Sequence, residues 1–190
     1  MPNTLRNVLL ALLLVTLATP ALAVGKTSDQ RRRTLVSLLA NRDARLTRSV
    51  LRTVGPDINE LLINIAGHPQ ARPHVRMRAI AGMGYFPSPP TRGFLGSLLL
   101  ERNLLGTELG TMLRRQAIRS LAVAFGGEAV DDLLSLRNDP IKEIRVSLAR
   151  ALGDTGSPKA LTHLKSWLGL EREITVKIAI DLSIDKLQGR

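Results

Sequence analysis

Between residues 31 and 188, apolar side chains return every third or fourth position in stretches of about ten residues, broken by Gly, Pro, Asp and Ser. That spacing is the 3.6-residue period of helices with one buried face. Five stretches share one pattern: LTRSVLRTVG (46–55), VRMRAIAGMG (75–84), LRRQAIRSLA (113–122), IRVSLARALG (144–153) and VKIAIDLSID (176–185), with starts 29, 38, 31 and 32 residues apart. Each is apolar at its first, fifth, usually sixth, and ninth positions. Before each lies another helical stretch: 31–41, 57–67, 91–101, 128–138 and 158–168. Stop and start signals separate them. Gly55-Pro56-Asp57 ends one helix and caps the next, and Gly153 to Pro158 repeats the device, with Ser157 as N-cap and Pro158 at the first helical position. Asp139-Pro140 plays this part within a pair.

The unit is therefore a helical hairpin of about 30 residues, written five times. One hairpin has too small an interior to persist in water, whereas stacked hairpins bury their apolar faces against each other and need similar residues at similar places. The expected fold is all-α: an α-solenoid of about five hairpins and about ten helices in two layers. The residues Asp139-Pro140, Ile144-Arg145, Ala149, Ala151 to Asp154 and Ser157-Pro158 resemble the HEAT-like repeat, in the short form noted in phycobilin lyases. The resemblance spans 31–188 and is closest in the fourth unit. It loosens around the longer loops expected at 85–90 and 103–111.

The repeat sorts residues into columns. Thr47, Arg76, Arg114, Arg145 and Lys177 stand at the edge of the buried face of each second helix. The resemblance implies that this basic column forms a structural ladder with Asp residues at neighbouring turns, for which Asp139 and Asp154 are the candidates. Arg52, Ala81, Arg119, Arg150 and Leu182 stand roughly opposite the core, with Arg48 and Arg115 in a parallel column. In such solenoids the second helices line the concave side, where partners bind. Arg48, Arg52, Arg115, Arg119 and Arg150 are thus candidates for a basic groove, and a merely solvated face is the competing reading. The loop YFPSPP (85–90) holds Tyr85 and Phe86, either an aromatic contact point or a plug between repeats. Trp167 is expected in the core. Leu182, Ile184 and Leu187 on the last helix are candidates for an apolar end that caps or assembles with a further unit.

Residues 1–23 break the pattern. Arg6, an apolar run from Val8 to Leu17, Pro20, and Ala21 and Ala23 flanking Leu22 have the form of a cleavable secretory signal. The run is shorter than the ~20 residues of a comfortable membrane span. Cleavage is expected after Ala23, leaving a lead-in at 24–30, a repeat domain at 31–188 and no stable membrane span. The expected destination is periplasmic or extracellular, that of an exported bacterial protein.

Composition fits this picture. Hydrophobic residues make up 44% but aromatics only 3%, so the core is built of Leu, Ile, Val and Ala. With no Cys the fold holds by packing alone. The net charge is +11, and +10 without Arg6; residues 24–100 carry 12 basic and 4 acidic side chains, net +8, and residues 101–190 carry 14 and 12, net +2. Such a chain favours acidic proteins or anionic polymers.

Motifs of catalysis are missing. His68, His74 and His163 stand in different settings, without the His-Glu dipeptides that bind iron in HEAT-repeat deoxyhypusine hydroxylases. No Cys, no H-E-x-x-H, no P-loop and no G-x-S-x-G occur, so no metal, cofactor or small-molecule substrate is expected. Asp131 and Asp132 are adjacent on a helix and face different directions. Two enzymatic relatives are implied by the repeat. Phycobilin lyases act on cytosolic antenna proteins. HEAT-like DNA glycosylases use a catalytic Asp framed by Trp and Arg, and this chain has one Trp. The reading is a non-enzymatic interaction or scaffold module whose partner is a protein with an acidic surface. The alternative is a binder of anionic polymer or nucleic acid.

Overall fold

The computed structural model describes residues 27–189. The signal-like segment, with Ala21 and Ala23, and residues 24–26 of the expected lead-in lie outside the described residues. Within them the secondary structure is ten α-helices, two short 3-10 turns and no strand. The helices are α1 (Ser28–Ala40), α2 (Arg48–Arg52), α3 (Ile58–Gly67), α4 (Pro73–Met83), α5 (Pro89–Leu100), α6 (Glu108–Phe125), α7 (Val130–Leu134), α8 (Lys142–Asp154), α9 (Pro158–Leu168) and α10 (Ile174–Gln188).

The pairs α3/α4, α5/α6, α7/α8 and α9/α10 are hairpins, and the even-numbered helices stack α4 on α6, α6 on α8 and α8 on α10. This is the α-solenoid that the repeat implies. One continuous core of Leu, Ile, Val, Ala and Met runs through it, from Leu35 and Leu39 on α1 to Val176 and Ile180 on α10, with Trp167 buried in it. Close packing explains the small residues on facing helices. A Cβ on Gly153 would lie 2.7 Å from that of Ser183, so α8 and α10 approach at a site where only hydrogen fits.

Several boundaries differ from the sequence reading. The α1 helix begins at Ser28, because Thr27 and Gln30 form a capping box, so residues 28–30 are helix and not lead-in. The second helix of the first unit shrinks to five residues, because Thr47 is its N-cap, accepting from Val50 N–H, and Gly55-Pro56 ends it. The expected long loop at 103–111 is partly helix. A 3-10 turn at Arg102–Leu104 folds the chain back, and α6 starts at Glu108, capped by Thr107. Gly110 is obligatory there, since a Cβ would sit 1.8 Å from the Leu104 carbonyl oxygen. In the fourth unit 126–129 is a 3-10 turn, and α7 is five residues long. Asp57 and Ser157 occupy N-cap positions but make no capping bond with their side chains. Asp57 instead pairs with Arg31 at 2.7 Å.

Candidate functional site

The basic edge column splits into two kinds of residue. Arg76, Arg114 and Arg145 each reach back to the C-terminal carbonyls of the preceding helix or the turn after it. Arg76 Nε donates to Ala66 O at 2.8 Å, Arg114 Nε to Leu99 O at 2.9 Å, and Arg145 Nη1 to Asp139 O at 2.8 Å. Arg114 also pairs with Asp139, and Arg145 makes a two-pronged contact with Glu171 at 2.9 and 3.1 Å. Each acid also holds its own turn: Asp139 accepts from Ile141 N–H, and Glu171 from the N–H groups of Arg172 and Glu173. Each clasp therefore ties one hairpin to the next while closing both turns.

Burial alone would push the Glu171 carboxyl up. Hydrogen bonds from Arg145 and from the Glu173 and Arg172 backbones, with the Arg145 charge, outweigh burial and hold it at about 2. The Arg145 guanidinium is raised in turn, chiefly by its hydrogen bond to Glu171.

Three expectations are corrected. Asp154 is not part of the ladder; it pairs with Lys186 at 2.7 Å on the exposed side. Lys177 makes no ion pair among the described residues, and Thr47 is a helix cap. Glu171 was the missed member. It precedes Lys177 by six residues, as Asp139 precedes Arg145. The adjacent Asp131 and Asp132 also work between units: Asp131 binds Lys159 at 2.6 Å and Asp132 binds Arg92 at 2.8 Å.

The candidate groove is partly assembled. Arg115, Arg119 and Arg150 line one open cleft of about 500 Å³ between α6 and α8, with Met77, Met112, Gln116, Ser147, Ala151 and Asp154. All three arginines are exposed. Arg115 Nε donates to Ser147 Oγ at 3.0 Å, whereas Arg119 and Arg150 have no ion-pair partner among the described residues. The one acid in the lining, Asp154, is taken by Lys186. Three cations here stand beside two methionines, whose thioether side chains adapt to irregular apolar shapes. Arg48 and Arg52 are exposed on α2 and stand outside this lining; the α4 column of Met77 and Ala81 interrupts the basic stripe.

The aromatic loop is mostly structural. Phe86 is partly buried and packs against the core. Tyr85 is half-exposed and donates its hydroxyl to Leu46 O at 3.2 Å. Ser88 caps α5 and accepts from Asn59 Nδ2 at 2.6 Å, and buried Thr91 donates to Asn59 Oδ1, which pins the loop to α3. A second groove of about 630 Å³, lined by Arg32, Arg33, His68 and Arg72 over Val36, Ala40, Ile65 and Val75, lies near the first hairpins. The Nδ1 of His68 accepts from Gln70 N–H, a turn contact. Among the described residues no cluster of three His, Cys, Asp or Glu side chains could hold a metal ion, and no helix is long and apolar enough to cross a membrane.

Stacked helical hairpins with one shared core and an open groove on the second helices define a repeat scaffold of the α-solenoid class. Residues 110–184, from α6 to near the end of α10, match the family of HEAT repeats, which supports a HEAT-like repeat protein. None of the curated proteins matches the chain.

Proposed function

We propose that this chain is an exported bacterial interaction module, built of short HEAT-like repeats of the phycobilin-lyase kind, which binds an acidic protein through its concave face. The observation that carries this reading is the cleft between α6 and α8. Arg115, Arg119 and Arg150 converge there, and the only carboxylate in the lining is already neutralised by Lys186. The ladder arginines, by contrast, are consumed by backbone carbonyls and carboxylates. The signal-like pattern of residues 1–23 supports a periplasmic or extracellular destination. Since HEAT repeats serve as scaffolds, the module acts by presenting a surface and carries out no chemistry of its own.

The test is affinity capture from bacterial envelope extract with the wild-type chain and with R119E/R150E, read by mass spectrometry. A protein held by the wild type at moderate salt and lost by the variant supports the reading. Equal capture by both refutes the cleft as the site. The second groove, with Arg32, Arg33 and Arg72, favours an alternative in which several basic patches track an anionic polymer. In that case binding extends to unrelated polyanions and falls steeply as salt is added.

A further inference from the structure

The concave columns do not end as they begin. Counting back one repeat from α10 places Leu182 in the column of Arg150 and Arg119, and Ile178 in that of Val146 and Arg115. The stacking of α6, α8 and α10 puts these positions side by side on one surface. Leu182 is 62% exposed, Ile178 55% and Ile174, one turn earlier, 71%, on a helix whose Val176, Ile180 and Ile184 face the core. By helical geometry Ile178 and Leu182 lie opposite Ile180, away from the core. Of the three candidates for an apolar end, Ile184 and Leu187 pack against the core and only Leu182 is exposed. The exposed pair Ile178 and Leu182 thus continues the columns of the arginine cleft.

We propose that the segment bound in the cleft is acidic over Arg119 and Arg150 and then carries an aliphatic or aromatic anchor seated on Ile178 and Leu182. This rests on the acidic-partner reading above. The charge of the cleft selects the acidic stretch, and the adjoining aliphatic pair selects the anchor beyond it. Neighbouring helix axes lie roughly 8–10 Å apart. At about 3.3 Å per extended residue, the anchor stands about three residues past the last acid. The arginines supply encounter and orientation, and the apolar pair adds contact area that salt does not screen.

The probes are three labelled synthetic peptides: a run of glutamates, the same run joined through a three-residue Gly-Ser spacer to Leu-Phe, and Leu-Phe on the spacer alone. The second is made in both chain directions. Binding to the wild-type chain, R119E/R150E and I178S/L182S is read by fluorescence anisotropy, with melting temperature and sedimentation velocity as controls. The expected result is that one direction of the combined peptide binds about tenfold tighter than the glutamate run. I178S/L182S abolishes that gain without lowering affinity for the run itself, and R119E/R150E abolishes binding of both. If run and combined peptide bind equally, the anchor is refuted and the acidic-partner reading stands. If neither binds, both fail. If the wild type sediments as a dimer that I178S/L182S dissociates, the patch is covered by a second copy and the inference is overturned.

Discussion

Replacing Glu171 by Gln isolates the charge of one clasp while keeping its shape. The wild-type carboxyl is held at about 2, against an ordinary value of 4.5. At about 1.4 kcal/mol per pH unit, that difference makes the ionised form about 3 kcal/mol better accommodated than a neutral one. The side chains of Glu171 and Arg145 are 6% and 14% exposed, so solvent screens the pair little. Breaking a buried pair from one side costs ~3–5 kcal/mol, and the bonds that Gln retains place this change at the lower end. For a domain of this size, ~3 kcal/mol lowers the melting temperature by about 6–12 °C. The folded pKa lies below the unfolded one, so the contribution is fully present above pH 4.5 and is lost as pH falls through about 2. Denaturant titrations of wild type and E171Q, monitored by circular dichroism from pH 7 to pH 3, measure it. The gap between the two proteins should be about 3 kcal/mol at neutral pH and about half that at pH 3. A gap below about 1 kcal/mol at pH 7, or one that stays constant with pH, refutes the clasp as a source of stability.

The other clasp responds to truncation. R114A leaves Asp139 without its cation and the Leu99 carbonyl without its donor, and should cost about 3–5 kcal/mol in urea unfolding; a loss under about 1 kcal/mol contradicts the clasp geometry. G153A should destabilise by about 1–2 kcal/mol despite the higher helix propensity of Ala, because its methyl meets Ser183. Adding S183G should recover part of that loss in calorimetry. If G153A is more stable than wild type, α8 and α10 are not in close contact at this point. R119E/R150E alters exposed side chains only and should leave unfolding free energy within about 0.5 kcal/mol of wild type, measured in the same titrations.

Much of the fold was legible because the repeat constrains it several times over. The columns of Ile144, Leu148 and Leu152 could be checked against four other units, and the core follows them. The α2 helix was misjudged because periodicity reports which face is buried and not where hydrogen bonding starts. Thr47 fits the edge column by spacing, yet a hydroxyl at a helix start caps it. The tie of Ser88 and Thr91 to Asn59 joins residues about thirty positions apart through a loop without a period, so no pattern announced it. Glu171 was findable, since its six-residue offset from Lys177 repeats that of Asp139 from Arg145, but a Glu stood where the resemblance implied an Asp. At the candidate site, spacing put Arg115, Arg119 and Arg150 on the same side, and they line one cleft. The same columns put Ala81, and by equal spacing Met77, between the arginines of α2 and those of α6, and this is where the basic stripe breaks.

The central claim is that partners are held in the concave cleft between α6 and α8. Photo-cross-linking tests it most directly. A benzoylphenylalanine at Gln116, inside the cleft, is compared with one at Lys165, exposed on α9 in the opposite layer. Illumination in envelope extract should yield a discrete adduct from position 116, absent when R119E/R150E is added, and none from position 165. Adducts of equal yield from both positions, or from 165 alone, would contradict it.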